Sequence, residues 1–316
     1  MAEKNYDVVI VGGGPGGLCA GMYSARARRK VVCIERFVTG GQISLTGDVE
    51  DYPGFEHIHG PELGKKFTEH AQKFGLEIVR DEVTEVYAEG DERMAKCASG
   101  NIYRAKAIIV SSGGTPVKLG VPGEIEYSGK GVSYCAICDG AFFKDQVIAV
   151  VGGGDAAVEE GTFLTKYGSK VYLIHRRDKL RAQKIIQQRA FDNKKMEIIW
   201  DTEVDAIKGN GTKVTELMLR NVYTGKASNL DIGAIFIYIG FRPNSDIFRE
   251  KIITDANGYI ITDDKMETSI KGFYACGDVR AQLVRQVTNA VGDGTTAAVA
   301  AEKYIETLED KIARRV

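Results

Sequence analysis

The feature that most constrains this chain is a glycine-rich turn that occurs twice, each time between an apolar run and a helix-forming stretch. Near the start, residues 6–12 read as a buried strand and Gly12-Gly13-Gly14-Pro15-Gly16-Gly17 as a tight turn. Leu18 to Arg29 then reads as a helix, and Lys30 to Arg36 as a second strand carrying Glu35. In a βαβ unit of this kind Gly12 permits the sharp turn, Gly14 lets a pyrophosphate approach the backbone, and Gly17 lets the helix pack on the strand. The pattern returns as strand Gln146 to Val151, turn Gly152-Gly153-Gly154-Asp155-Ala156-Ala157, helix Ala157 to Tyr167 and strand Lys170 to Ile174. Ala157 stands where the third glycine would be, a replacement this turn tolerates.

Glu35 and His175 each lie 23 residues after the first glycine of their turn, so the two copies present opposite chemistry at one place. A carboxylate there accepts hydrogen bonds from ribose hydroxyls and repels a 2′-phosphate. His175, Arg176 and Arg177, with Arg181 one helical turn on, attract that phosphate through charge-assisted bonds. The expectation is an adenosine without 2′-phosphate at the first site and an NADP-type ligand at the second.

After each βαβ unit come short alternating segments. Leu76 to Arg80, Glu82 to Ala88, Arg93 to Ala98 and Asn101 to Arg104 read as an antiparallel meander closed by the buried strand Ala107 to Ser111. Glu197 to Lys208 and Val214 through Ala227 to Ile239 repeat the theme, which makes the chain an internal duplication. Gly113-Gly114-Thr115-Pro116 and Gly240-Phe241-Arg242-Pro243-Asn244 bracket the second copy like hinges. Phe273 to Asp278 reads as a strand ending in a Gly-Asp turn, and Asn289 to Leu308 as an amphipathic helix. The order suits a first domain built from both chain ends, 1–115 and 245–316, with a second, 116–244, inserted. A length of 316 residues agrees with about two domains.

Of the six cysteines, Cys19, Cys33, Cys97 and Cys276 sit singly in apolar segments and read as small core residues. Cys135 and Cys138, in Tyr134-Cys135-Ala136-Ile137-Cys138-Asp139-Gly140, are three apart and share one helical turn. No second C-x-x-C or H-x-x-x-H pair supplies the other ligands of a structural zinc site, so no metal is expected. A thiolate at a helix N-terminus is stabilised by the backbone dipole, and Asp139 is placed to give or take a proton. With 42 basic and 43 acidic residues, nothing points to nucleic acid. The N-terminus lacks the basic start and cleavage site of a signal peptide, and Ala234 to Phe241 is too short to span a bilayer. A soluble cytoplasmic enzyme without membrane contact is expected.

In combination, these motifs closely resemble the low-molecular-weight thioredoxin reductases, dimeric FAD-containing enzymes, nearly from end to end. The resemblance rests on the first glycine turn, Gly40-Gly41-Gln42, Cys135 to Gly140, Gly152 to Ala157, His175-Arg176-Arg177 with Arg181, Gly277-Asp278 and Arg285-Gln286. It implies an α/β fold of two Rossmann-like FAD/NAD(P)-binding domains with antiparallel β-meanders, the NADPH domain inserted into the FAD domain and carrying the redox cysteines. It implies that Gly12, Gly14, Gly17, Glu35, Gly41 and Gln42 line FAD, that Gly277 and Asp278 hold its ribityl–pyrophosphate portion, and that Arg285 and Gln286 lie near its ring. Gly152, Gly154, Ala157, His175, Arg176, Arg177 and Arg181 are implied to bind NADPH.

The implied reaction passes electrons from NADPH through FAD to Cys135–Cys138, and on to oxidised thioredoxin or a thioredoxin-like protein. In the family Cys138 faces the flavin, Cys135 attacks the partner's disulfide, and the inserted domain rotates about Thr115-Pro116 and Arg242-Pro243. The chain departs from the usual pattern at Asp51, where an amide is common, at Ser111-Ser112-Gly113, and at Cys276, where alanine is usual. The alternative is a flavoprotein reductase of the same fold with another electron donor, NADH or ferredoxin, or another disulfide protein as partner.

Overall fold

The computed structural model describes residues 3–46, 48–248 and 251–313. Val8–Val11 lies at the centre of a parallel sheet ordered Phe273–Ala275, Ala107–Val110, Val8–Val11, Val31–Glu35, Glu77–Arg80. All four of its residues are buried, and the run shows no polar alternation because each face of the sheet meets a different core. Val9 and Val11 pack with Val86, Ala95, Tyr103 and Phe248. Val8 and Ile10 pack with Leu18, Leu76, Ala297 and Ile305.

The first of these cores lies under a four-stranded sheet ordered Glu3–Asn5, Ile102–Ala105, Glu92–Cys97, Val83–Glu89. Its last three strands are the expected meander, and Glu3–Asn5 adds a parallel edge. The second core lies under the helices Pro15–Arg26 and Val287–Ala313, which approach closely. A Cβ on Gly294 would fall 2.2 Å from the carbonyl oxygen of Gly16. Arg29, just beyond the first of these helices, pairs with Glu302 and Glu309 on the second, and Lys106 joins Glu309 to Asp7.

The second copy repeats this layering. Its parallel sheet runs Val132–Ser133, Ala234–Tyr238, Val147–Gly152, Lys170–Ile174, Met196–Ile199. Ile148 and Val150 pack against the helices Asp155–Leu164 and Lys184–Asp192, while Ala149 and Val151 pack against the antiparallel strands Thr202–Gly209 and Val214–Asn221.

One expectation is corrected identically in both copies. By sequence, Leu76 to Arg80 and the segment from Glu197 read as the first strands of the meanders. Instead Glu77–Arg80 pairs in parallel with Val31–Glu35, and Met196–Ile199 pairs in parallel with Lys170–Ile174. Both are edge strands with exposed and half-buried residues, so they lack the continuous buried apolar run that marks a central parallel strand.

The chain divides into two compact units, one formed mainly by Pro116–Phe241 and the other mainly by the segments up to Thr115 and from Arg242 on. Arg242 to Asn244 belong to the first unit, not to the insert. Asn244 explains this, since its N–H donates to the carbonyl of Gly113 at 2.9 Å and its side-chain amide to that of Ser112 at 2.8 Å. No helix among the described residues is long and apolar enough to cross a membrane.

Candidate redox and nucleotide site

In the first unit the glycine turn is built as its sequence demands. Gly12 has φ of +102°, and a Cβ there would lie 2.3 Å from the carbonyl oxygen of Ser111. A Cβ on Gly17 would lie 2.0 Å from the oxygen of Gly12, so the helix sits directly on the turn. Gly14, at the helix N-cap, faces open space, the condition for an anionic group to approach the first-turn N–H groups. Gly40 donates to the carbonyl of Gly13, and Gly41 comes so near Gly14 that a Cβ would lie 3.0 Å from its Cα. Gln42 follows, its side-chain amide donating to the carbonyl of Gly114 at 3.3 Å.

Glu35 accepts from the N–H of Gly13 at 2.7 Å and from that of Phe37 at 2.8 Å. Each carboxylate oxygen keeps a further lone pair for a ribose hydroxyl.

Asp278 lies in the short turn Gly277–Val279 that ends the outer strand Phe273–Ala275. Burial pushes its carboxyl above the usual range, with Arg285 opposing that shift. Asp278 has no side-chain hydrogen bond among the described residues, so its half-buried carboxylate keeps its acceptor capacity. The turn itself is held by residues that sequence reading missed. Asp293, 7% exposed, accepts from the N–H of Gly277 at 3.1 Å and pairs with Arg280. Gln282 donates to the carbonyl of Gly277 at 3.0 Å and accepts from Asn289. No local pattern announces these residues, because they meet only once the final helix has docked. Arg285 is exposed and lies over the ring of Tyr259, and Gln286 accepts from the N–H of Ala290 at the start of that helix.

The second turn has the same frame. Gly152 has φ of +153°, with a would-be Cβ 2.3 Å from the carbonyl oxygen of Tyr238, and Gly154 faces open space. Ala157 is fully buried beside Gly152. Arg176, Arg177 and Arg181 are exposed, and the backbone N–H of Arg181 ties its loop to Gly153 at 2.7 Å.

His175 differs from the expectation that grouped it with these arginines. It is 6% exposed, its ring packs under Gly153, and Nε2 bonds the carbonyl of Lys179 at 3.0 Å. Burial lowers its pKa, so at neutral pH the ring is largely uncharged. It packs against the middle glycine of its turn, and the exposed positive charge there includes Arg176, Arg177 and Arg181.

Cys135 and Cys138 form a disulfide within the same unit as this second turn. The strand Val132–Ser133 leads through Tyr134 into the single-turn helix Ala136–Asp139, with Cys135 as its N-cap. The N–H of Cys138 donates to Cys135 Sγ at 3.2 Å. Ser133 Oγ links the helix to its acid, donating to Asp139 at 2.6 Å and accepting from the N–H of Cys135 at 3.1 Å. Tyr238 accepts from the N–H of Ala136 at 2.8 Å. Cys138 is exposed, while Cys135 and Asp139 are half-buried. The other four cysteines are buried free thiols.

Residues 6–294 match the family described as pyridine nucleotide-disulphide oxidoreductase. The chain is 48% identical to a thioredoxin reductase of Bacillus subtilis over 98% of both chains. Its fold is similar to the crystal structure of Lactococcus lactis thioredoxin reductase, with a TM-score of 0.94 at 47% identity, covering 96% of this chain and 99% of that one. T. acidophilum thioredoxin reductase is also similar, with a TM-score of 0.92 at 33% identity over 96% of this chain and 99% of that one.

Proposed function

Because the chain belongs to the pyridine nucleotide-disulphide oxidoreductases, we propose that it is a thioredoxin-disulfide reductase using NADPH and FAD. The observation that carries this reading is the Cys135–Cys138 disulfide, capping a helical turn in the unit that also holds a glycine turn flanked by exposed arginines.

The residues suit both nucleotides. In the first unit Gly12, Gly14, Gly17, Gly41, Gln42 and Glu35 would hold FAD, and the desolvated Asp278 carboxylate would accept from its hydroxyls. Arg285 and Gln286 complete that assignment. In the second unit Gly152, Gly154 and Ala157 would admit the pyrophosphate of NADPH, with Arg176, Arg177 and Arg181 on its 2′-phosphate. When bound, FAD supplies two-electron exchange between a nicotinamide and a disulfide.

The chain's own contribution is at the sulfurs. Two electrons break the Cys135–Cys138 bond, and two protons convert the thiolates to thiols. Asp139, fixed by Ser133, is the group placed to carry a proton to or from the departing sulfur. Cys138 is the more exposed residue of the pair, and the family implies that Cys135 attacks the partner's disulfide. A homodimer is the expected assembly.

The test is steady-state reduction of thioredoxin by the purified flavoprotein with NADPH and with NADH. NADPH-dependent turnover that is lost in Cys138→Ser is the expected result. Equal use of NADH would remove the assigned role of the arginines, and thioredoxin left oxidised would remove the proposed partner.

A further inference from the structure

Tyr238 has no part in the reading above, yet it touches both halves of the second unit's chemistry. It ends the strand Ala234–Tyr238 level with Gly152, and its carbonyl closes that glycine turn. Its ring packs on the core beneath the helices, and its hydroxyl oxygen receives the N–H of Ala136. Ala136 is the first residue of the redox helix, directly after the Cys135 cap. The first N–H groups of a helix have no acceptor within it, and they are the groups that stabilise a thiolate on the capping residue. One of them, on Cys138, already meets Cys135 Sγ, and another is taken by Tyr238.

The charged groups facing the hydroxyl are Asp139 on the redox helix and Glu160 on Asp155–Leu164. Burial and these two acids hold the Tyr238 hydroxyl far above its ordinary pKa, so it stays neutral across the working range and its oxygen remains an acceptor.

We propose that Tyr238 is a positioning residue that withholds the Ala136 N–H from the Cys135 thiolate and so keeps the Cys135–Cys138 dithiol a strong electron donor. The sign follows from the couple. Reduction adds two electrons and two protons and breaks the S–S bond. In the reverse direction Cys135 sulfur attacks the partner's disulfide and expels one partner thiolate, then Cys138 attacks Cys135 sulfur and expels the other. Anything that stabilises the thiolate favours the reduced pair and makes it a weaker donor. An N–H committed to a tyrosine oxygen acts in the opposite sense. This rests on the disulfide-reductase reading, and the measurement is arranged to be independent of turnover.

The test uses the full-length flavoprotein and the substitutions Tyr238→Phe and Tyr238→Leu, with the redox pair equilibrated against dithiothreitol in the absence of NADPH. Loss of one hydrogen bond is expected to shift that equilibrium about 2- to 10-fold toward the dithiol. A tenfold change corresponds to ~30 mV for a two-electron couple. The pH profile of iodoacetamide alkylation at Cys135 should move to lower pH in both variants. An unchanged equilibrium and profile in Tyr238→Phe overturns the proposal, as does a change confined to Tyr238→Leu, which assigns the effect to ring packing. A wild-type protein that fails to reduce thioredoxin but still shows the Tyr238→Phe shift counts against the partner assignment and supports the role of Tyr238.

Discussion

Cys135 and Cys276 occupy corresponding places in the two units, yet one is half of a disulfide and the other a buried free thiol. In each unit the outermost parallel strand, Val132–Ser133 or Phe273–Ala275, runs beside the strand that closes the glycine turn and leads into a short helical turn. Cys135 and Cys276 are the extended capping residues of those turns. Three residues on, the second unit has exposed Cys138 and the first has buried Val279. The sulfur of Cys276 lies against Gly16, and burial pushes its thiol up to about 12. Position at a helix start is therefore not what makes a redox centre here. A second sulfur at the right spacing and access to solvent are needed as well, and only one copy has them.

The contrast between the units can be broken most forcefully at their first glycines. Gly12→Ala and Gly152→Ala each force a Cβ within 2.3 Å of a carbonyl oxygen at positive φ, a strain of about 3 kcal/mol. Gly12→Ala is expected to abolish flavin retention, read from the visible spectrum of the purified protein. Gly152→Ala should keep the flavin and lose its reduction by NADPH. Equal loss of flavin in both variants would mean that the turns do not serve separate ligands.

A smaller effect is expected at the arginines. The double substitution Arg176→Ala with Arg177→Ala removes up to two charged bonds to a 2′-phosphate, which should raise the KM for NADPH about 10- to 100-fold. The KM for NADH should hardly move.

The mildest comparison involves the corresponding cysteines themselves. In reduced but folded protein, iodoacetamide at pH 8 should label Cys135 and Cys138 and leave Cys276 untouched. A thiol titrating near 12 stays protonated below that pH, so its labelling should grow only as the pH approaches that value or the chain unfolds. Rapid labelling of Cys276 at pH 8, detected by peptide mass spectrometry, would erase the distinction.

Much of this architecture is legible because its causes are local. A glycine turn between an apolar run and a helix has few ways to fold, and a cysteine pair three apart needs no distant residue to be recognised. The errors arise where neighbours decide. Glu77–Arg80 and Met196–Ile199 lack the continuous apolar run of a central parallel strand because they are partly exposed edges. His175 stands at the offset of a phosphate ligand, but its exposure depends on how closely Gly153 lies over it. Asp293 and Tyr238 act across 16 and 102 residues of sequence, through contacts that no window of a few residues contains.

The discontinuous first unit also sets an order of assembly during synthesis. The strand Phe273–Ala275 and the helix Val287–Ala313, which complete its sheet and roof one of its cores, leave the ribosome after the whole parallel sheet of the second unit. At roughly 5–20 residues per second, Val8 and Ile10 wait on the order of ten seconds or more for that cover. The insert can mature as a nascent domain while the apolar floor of the first unit is still open to chaperones. Arg29, made early, then waits for Glu302 and Glu309, which follow it by 273 and 280 residues, a latch that closes late in synthesis.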